Sequence, residues 1–417
     1  MKQAVILGAG TGGTIICNRL GRKLDPREWK LTLVDQSPVH FYQPGFLFIP
    51  FGVYSGPDVI RPRAGMIPRG VEYIPAGIAA IEPEANRVKL EDGRAIGYDL
   101  LVIATGAKIA PEETPGLKEE GWGRDIFDFY TMEGALALRD ALANFKGGDL
   151  VVHITEMPIK CPVAPLEFCF LADAWLRNRG LRSKTRITYV TPLSGAFTRQ
   201  NCATVLGHLL KEKDIRMVPD FAVERVEPGA KKLVSYDGIE LGYDLLVSIP
   251  TNKGDGVMER SGFGDELNFV PTDKHTLQSK VKENIFVLGD ATNVPTSKAG
   301  SVAHFEAEVL ETNILRYIAG KPLLEEFDGH TNCFIETGHG KAVLIDFNYE
   351  IEPVKGTFPL PVVGPMSLLK ESRINHWGKM GFRWIYWNLL LKAMPMPLMD
   401  GRMRKWGKRL DTITPKA

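Results

Sequence analysis

Short apolar runs separated by polar turns organise the start of the chain. Residues 4–7 form an apolar run of strand length, residues 14–20 have the apolar spacing of a helix, and residues 31–34 form a second apolar run. A glycine-rich stretch lies between the first run and the helix, and Asp35 closes the second run. Strand, glycine loop, helix, strand and terminal acid in this order predict an α/β unit that binds a dinucleotide.

The glycine-rich stretch and the acid supply the candidate binding residues of this unit. Gly8, Gly10 and Gly13 have the GxGxxG spacing that lets a pyrophosphate group reach the N-terminus of the helix. Asp35 is placed to accept hydrogen bonds from two ribose hydroxyls. The sequence therefore predicts a nucleotide site at the carboxyl ends of the first strands.

A later part of the chain repeats an earlier pattern. Residues 98–106, YDLLVIATG, recur as YDLLVSIP at residues 243–250, and each copy follows a stretch of alternating apolar and charged residues that a turn closes. Continuous apolar runs of this kind are typical of buried strands in parallel sheets. A third run, at residues 284–290, follows the second copy. The repeat predicts two similar α/β units, the second inserted in the first.

The predicted fold class is α/β, with two Rossmann-like dinucleotide-binding domains and a C-terminal amphipathic membrane-binding region. We assign residues 1–110 and 271–330 to the two parts of the FAD-type first domain, and residues 111–270 to the second domain. Residues 331–417 form the C-terminal region.

The second domain differs from the first where its glycine loop should stand. The apolar run at residues 149–154 is followed by EMPIKCPVAP at residues 156–165, which contains no glycine and places Cys161 between prolines. Proline removes backbone N–H donors, which a phosphate cradle needs. Thr191 and Pro192 also stand where an NADH-binding domain usually carries an acid. The pattern predicts that this domain has no working NAD(P) site.

Composition narrows the class of protein further. A formal net charge of +1 over 417 residues gives no indication of nucleic-acid binding. Five cysteines are too few for a disulfide framework, and none has zinc-ligand spacing, so we predict no metal site. A strand within the first residues favours a chain without a cleavable signal peptide.

Three motifs resemble the FAD signatures of the flavoprotein disulfide reductases. They are the glycine loop of residues 8–13, Ala104-Thr-Gly106 and Leu288-Gly-Asp290. The resemblance implies FAD as the cofactor, with Asp290 on the ribityl chain. Beyond the glycine loop and Asp35, the residues predicted to bind the cofactor are Thr105, Gly106, Gly289, Asp290 and Lys298.

Three further motifs are similar to those of one branch, the sulfide:quinone oxidoreductases. They are KCPVAP at residues 160–165, NCFIE at residues 332–336 and GKMGF at residues 378–382. The resemblance covers nearly the whole chain and implies hydrogen sulfide and a membrane quinone as substrates. It further implies that Phe382 stacks on the quinone ring and that Lys379 lies near a quinone oxygen.

The resemblance also separates the five cysteines into two groups. It implies that Cys161 and Cys333, each beside proline or polar residues at the end of a strand, form the redox pair. The others have apolar neighbours and are predicted to be small buried core residues: Cys17, Cys169 and Cys202. Many relatives carry a third redox cysteine, but residues 111–148 contain none, which argues against a thioether link to the flavin.

The chemistry of sulfide oxidation explains why a cysteine pair is needed. Attack of hydrosulfide on a disulfide gives one persulfide and one thiolate, and a thiolate beside the flavin can reduce it. Lys160 is predicted to lower the pKa of Cys161 and to favour the thiolate. His304, on a helix predicted to begin within residues 297–306, either relays a proton to the quinone or is a packed histidine.

The C-terminal region combines aromatic, apolar and basic residues. Residues 370–417 carry eleven Lys or Arg against three Asp or Glu, and residues 377–391 are too short and too charged to span a bilayer. Four of the seven tryptophans lie in the last 41 residues: Trp377, Trp384, Trp387 and Trp406. Basic charge beside indole rings suits a membrane interface. We predict a peripheral, monotopic membrane protein on an unspecified membrane face; a packed helix or a homo-oligomer interface is the alternative.

Together these features predict a membrane-attached FAD enzyme that oxidises hydrogen sulfide and passes the electrons to quinone. Three alternatives stay open: a type-2 NADH:quinone dehydrogenase, the flavoprotein subunit of a flavocytochrome c sulfide dehydrogenase, and a non-catalytic flavin-bound interaction protein. The missing glycine loop disfavours the first. Truncation after Ser367 is expected to release the protein from membranes and to leave FAD bound.

Overall fold

The computed structural model describes residues 1–396 and 401–410. The first strands and helices are β1 (Lys2–Leu7), α1 (Thr11–Lys23), β2 (Trp29–Val34), β3 (Val39–Phe41), β4 (Ile60–Pro62), β5 (Glu72–Ile74), β6 (Ile78–Glu82), β7 (Arg87–Leu90), β8 (Ala95–Gly97), β9 (Leu100–Ile103) and β10 (Ala107–Ile109). The next are β11 (Ile126–Phe127), α2 (Met132–Asn144), β12 (Gly148–Ile154), α3 (Ala164–Asn178), β13 (Thr185–Val190), α4 (Gln200–Glu212), β14 (Arg216–Val218), β15 (Val223–Glu227), β16 (Lys232–Ser235), β17 (Glu240–Gly242), β18 (Leu245–Ile249), β19 (Asn252–Gly254) and α5 (Val257–Arg260). The last are β20 (Ile285–Val287), α6 (Gly300–Ile318), β21 (Thr331–Gly338), β22 (Lys341–Phe347), β23 (Gly356–Phe358), β24 (Met366–Leu368), β25 (Glu371–Ser372) and α7 (Arg373–Ile385).

A fully parallel five-stranded sheet carries the first nucleotide motif. Its order is β20-β9-β1-β2-β5, and every neighbouring pair is parallel. The apolar runs predicted at residues 4–7 and 31–34 are the buried parts of β1 and β2, because a strand covered on both faces must be apolar throughout. Helices α1 and α6 pack against each other beside this sheet.

A second parallel sheet, of order β11-β18-β12-β13-β14, lies between these strands in the sequence. Antiparallel sheets β6-β7-β8 and β15-β16-β17 directly precede β9 and β18, which are the two copies of the repeated run. β20 then returns to the edge of the first sheet. The predicted α/β fold with two parallel sheets is therefore confirmed, whereas the domain boundaries stay predictions.

The C-terminal region is packed onto this fold. β21 and β22 form an antiparallel hairpin, and β21 packs between α3 of the second unit and α7. One hydrophobic core contains residues of both parallel sheets, of the hairpin and of the turn after α7. The hairpin thus brings Cys333 towards the loop that carries Cys161.

Candidate active site

The glycine loop of residues 8–13 joins β1 to the N-terminus of α1. A Cβ on Gly8 would lie 2.5 Å from the carbonyl oxygen of Ala104, and a Cβ on Gly13 would lie 1.8 Å from the carbonyl oxygen of Gly8, so side chains are excluded at both positions. Gly10, the N-cap of α1, has no atom of the described residues within 4 Å of an added Cβ. A pyrophosphate group fits this open space at the positive end of the helix dipole.

Asp35 lies beside this loop and forms a hydrogen bond with its backbone. Its carboxylate accepts hydrogen bonds from the N–H groups of Ala9 and Ser37, both at 2.7 Å. The guanidinium of Arg63, which is 4% exposed, lies 3.4 Å from it and donates to the carbonyl oxygens of Ala9 and Val39. Sequence reasoning missed Arg63, because its partners are distant in the chain.

The second FAD-like motif borders the same space. The hydroxyl oxygen of Thr105 is buried and has no hydrogen-bond partner among the described residues. Gly106 has a φ of +72° and no atom of those residues within 4 Å of an added Cβ. Leaving a buried hydroxyl unpaired is unfavourable, and a polar group of a flavin nucleotide would satisfy it. The orphaned hydroxyl and the open loop therefore fit FAD.

The third motif forms a 3₁₀ turn at Gly289–Ala291, directly after β20. The N–H of Gly289 donates to the carboxylate of Glu306, and the ammonium of Lys298 donates to the carbonyl oxygens of Asp290 at 3.0 Å and Thr292 at 2.7 Å. Lys298 thus anchors the backbone of the motif, and its contact with the cofactor stays a prediction. Burial raises the pKa of Glu306 to about 8; sequence reasoning missed this acid.

Cys161 lies in the loop that joins β12 and α3, and backbone hydrogen bonds fix it beside the third motif. Its N–H donates to the carbonyl oxygen of Lys298 at 2.7 Å. The hydroxyl of Tyr130 donates to the carbonyl oxygens of Lys160 at 2.5 Å and of Cys161 at 3.2 Å. The φ of Cys161 is +44°, a left-handed conformation that is uncommon for residues with a Cβ and is concentrated at functional sites.

Cys333 lies on β21, opposite Ile345 of β22, and is close enough to Cys161 for the charges of the two thiols to interact. We call the surroundings of these two thiols, with Lys379 and Glu167, the sulfur pocket. Burial raises the pKa of the Cys161 thiol well above its ordinary value, and the charge of Cys333 raises it further. Burial raises the pKa of Cys333 to about 11, while the charge of Lys379 opposes this shift. The structure therefore brings the two predicted redox cysteines together, and all five cysteines of the chain are free thiols.

Lys379, on α7, is the cation of this pocket. Its ammonium donates to a carboxylate oxygen of Glu167 and, at 2.9 Å, to the carbonyl oxygen of Phe334. Burial alone would lower the pKa of Lys379, but the negative charges of Glu167 and Cys161 outweigh it and raise this pKa. Among the charges that act on Cys161, that of Lys379 opposes the rise in pKa caused by burial, while the role predicted for Lys160 stays a prediction.

Buried acids connect this pocket to the surface. Glu167 is 1% exposed and accepts a hydrogen bond from the N–H of Glu336 at 2.7 Å, while its second oxygen is buried without a partner in the described parts of the chain. Glu336 lies 2.9 Å from Nδ1 of His376, whose side chain is 26% exposed. Sequence reasoning missed these residues; the available signal was an acid within an apolar helix, as in LEF at residues 166–168.

The remaining predicted residues lie outside the sulfur pocket. The other three cysteines are buried at Cys17, Cys169 and Cys202. His304, on α6, is 1% exposed, and its nearest charged partner is Glu308 at 3.7 Å. Burial lowers the pKa of His304 to about 3, as does the charge of Arg19. The role of His304 in proton transfer to the quinone stays a prediction.

The surface of the C-terminal region is partly aromatic. Trp377 and Trp384 of α7 are 66% and 62% exposed. Trp387 is only 4% exposed and packs under the guanidinium of Arg61, so it does not belong to the exposed aromatic surface. Phe382 is partly buried. Among the described residues, no helix is long and apolar enough to cross a membrane.

Comparison with known proteins agrees with this geometry. The family model described as pyridine nucleotide-disulphide oxidoreductase matches residues 2–144. Mitochondrial sulfide:quinone oxidoreductases of Mus musculus and Dictyostelium discoideum are 27% and 28% identical; each match covers 94% of this chain and 86% of the relative. The X-ray structure of the sulfide:quinone oxidoreductase of Aquifex aeolicus has a TM-score of 0.75 at 22% identity, over 93% of this chain and 92% of that chain.

These comparisons confirm the predicted resemblance to sulfide:quinone oxidoreductases. They also confirm FAD as the cofactor and the chain as an FAD-dependent oxidoreductase. The solved structure shows that the fold is shared.

Proposed function

We propose that this protein oxidises hydrogen sulfide with Cys161 and Cys333 and passes the electrons through FAD to a quinone at a membrane surface. The hydrogen bond from the N–H of Cys161 to the carbonyl oxygen of Lys298 carries the proposal, because the Lys298 side chain in turn donates to the backbone of Asp290 in the third FAD motif. The relatives named sulfide:quinone oxidoreductase support it.

The first chemical step is attack on the disulfide form of the cysteine pair. Hydrosulfide attacks one sulfur, the bond between Cys161 and Cys333 breaks, and a new S–S bond forms to the incoming sulfur. The products are one persulfide, which keeps the proton, and one thiolate, which keeps the negative charge. Burial and the charge of Glu167 raise the pKa of both cysteines, and the positive charge of Lys379 opposes these shifts and so favours the thiolate. The persulfide then passes its outer sulfur to a nucleophilic acceptor, which leaves a thiol. The thiol and the thiolate re-form the disulfide, which releases one proton and two electrons, and FAD would supply the two-electron acceptor.

Reduction of the quinone also requires protons, and Glu336 and His376 lie near the sulfur pocket. Reduction of a quinone consumes two protons, and hydrosulfide brings one, so the second must come from solvent. His376 is partly exposed and lies 2.9 Å from the carboxylate of Glu336, whose backbone N–H donates to Glu167 at 2.7 Å. We infer that His376 and Glu336 take up this second proton from solvent at the edge of the pocket.

The loop that carries Cys161 disfavours a nicotinamide donor. The carbonyl oxygen of Cys161 accepts a hydrogen bond from the N–H of Ala164 at 2.8 Å, and Pro165 lies in the first turn of α3. Both features remove N–H groups that a pyrophosphate would use. The electrons therefore enter from sulfide rather than from NADH or NADPH.

The aromatic surface supports peripheral attachment to a membrane. Trp377 and Trp384 lie seven residues apart on α7, which places them on one face of the helix, and both are exposed. The Lys379 side chain of the same helix reaches into the sulfur pocket. A quinone entering along α7 from the lipid surface would meet Phe382 and Lys379. A homo-oligomer stays a prediction.

Anaerobic stopped-flow mixing tests the proposal. Sulfide should bleach the flavin absorbance of the purified holoenzyme, and a short-chain quinone should restore it. NADH at the same concentration is the matched control and should leave the flavin oxidised. Rapid bleaching by NADH, or none by sulfide, would contradict the proposal.

A further inference from the structure

The C-terminal helix is followed by a residue that contacts the glycine loop. Directly after α7, Tyr386–Leu390 form a π-helical turn. Such turns are rare in proteins overall, and those that occur are often found at functional sites. Tyr386 is 1% exposed. Its hydroxyl lies 2.7 Å from the Thr11 hydroxyl and 2.7 Å from Nε2 of His40.

The chemistry of His40 sets the direction of these hydrogen bonds. Burial, together with the charge of Arg63, lowers the pKa of His40 to about 3, so the ring is neutral and has a single N–H. Nδ1 faces the carbonyl oxygen of Ala9 at 3.2 Å, and because a carbonyl can only accept, Nδ1 carries the proton. Nε2 then accepts from the hydroxyl of Tyr386, whose oxygen accepts from the hydroxyl of Thr11.

This chain of hydrogen bonds starts and ends in the glycine loop, at Thr11 and Ala9. We propose that Tyr386 is a positioning residue for FAD: it holds the loop of residues 8–13 in the conformation that receives the pyrophosphate. FAD retention then depends on the C-terminal segment, although the nucleotide motifs lie far from it in the sequence. The proposal is independent of sulfide oxidation, because it concerns FAD binding and not turnover.

A second contact supports the same connection. Arg22, near the end of α1, donates to the carbonyl oxygen of Ala393 at 2.8 Å, so helix α1 is held to the C-terminal segment close to both of its ends. Truncation after Ser367 removes Tyr386 and the partner of Arg22. From the sequence we expected the truncated chain to keep FAD. These two contacts lead instead to the prediction that it loses FAD.

The substitution Tyr386→Phe tests the proposal in the full-chain holoprotein. The ring stays, but Nε2 of His40 loses its donor and Thr11 loses its acceptor in a buried place. We expect FAD to dissociate more readily, with Kd raised about tenfold. The measurement is the rise in flavin fluorescence as holoprotein is diluted, which needs no catalytic turnover.

Tyr42→Phe is the matched control. Its ring is 2% exposed and lies 4.8 Å from that of Tyr386, and its hydroxyl makes no hydrogen bond with the described residues. This variant should retain FAD as the unaltered protein does. Equal losses of FAD in Tyr42→Phe and Tyr386→Phe would overturn the proposal, because the effect would then come from the aromatic cluster and not from the hydroxyl.

A double-mutant cycle with Thr11→Val adds a second criterion. If the two hydroxyls act through one hydrogen bond, the double variant Thr11→Val/Tyr386→Phe loses little more FAD affinity than either single variant. Fully additive losses, or a Kd of Tyr386→Phe within twofold of the unaltered protein, refute the inference. If Tyr386→Phe fails to fold, Thr11→Val alone decides, since it removes the same hydrogen bond from the loop side.

Discussion

Removal of the cation from the sulfur pocket gives the most quantitative prediction. In Lys379→Met the carboxylate of Glu167, which is 1% exposed, loses its ammonium partner and stays buried. Breaking a buried ion pair from one side typically costs about 3–5 kcal/mol. An unfolding entropy of about 2.1 cal/mol/K per residue over 417 residues corresponds to ~0.9 kcal/mol/K, so Tm should fall by ~3–6 °C.

The pH range of the measurement follows from the sign of the pKa shift. The pKa of Lys379 is raised in the folded protein, so the stability that the pair contributes is fully present below the ordinary lysine value of 10.5 and is lost as pH rises through the raised value. A melt at pH 7, followed by circular dichroism with saturating FAD, lies below this range, so Lys379 is fully charged there; burial raises the pKa of its partner Glu167, and the charge of Lys379 opposes that rise.

The double variant Lys379→Met/Glu167→Gln is the control for this prediction. It removes both charges and should recover much of the lost stability, since a neutral pair leaves no buried ion without a partner. A fall in Tm of under about 1 °C in the single variant, or a double variant less stable than the single one, would show that Lys379 and Glu167 do not form a stabilising buried ion pair.

The same substitution has a consequence for catalysis. Burial raises the pKa of Cys161 and of Cys333 in the folded protein, and the charge of Lys379 opposes this rise. Without it both pKa values rise, so the rate of sulfide-driven flavin reduction should reach its plateau at a higher pH. An unchanged pH profile would show that Lys379 does not act on the thiolate.

Other predictions follow from the same structure. Cys161→Ala and Cys333→Ala should each abolish flavin bleaching by sulfide, whereas Cys17→Ala should retain it and cost on the order of 1 kcal/mol of stability; full activity of Cys161→Ala would contradict the assignment of the pair. The double substitution of Trp377 and Trp384 by Ser should reduce sedimentation with anionic lipid vesicles while leaving bleaching by sulfide intact, and unchanged sedimentation would place the lipid contact elsewhere.

Several features of this protein are determined by local sequence. The GxGxxG loop, the apolar strands on either side of it and the acid at Asp35 are neighbours in the chain, so pattern alone predicts the first nucleotide unit. The lack of glycine between residues 156 and 165 is equally local and predicts a second unit without a phosphate loop. The cysteine pair, in contrast, followed from a family resemblance, because nothing in local spacing connects Cys161 to Cys333.

Only the tertiary structure decided which side chains surround the chemistry. Lys379 reaches the buried carboxylate of Glu167 because α7 packs on β21, a contact between elements far apart in sequence. Trp387, in the π-helical turn, is buried under Arg61, although the aromatic and basic composition of the C-terminal region favoured a membrane interface. Tyr386, in the same turn, reaches Thr11 of the glycine loop. Each outcome depends on packing between distant segments, and hydrophobic pattern records which residues are buried but not which partners they meet.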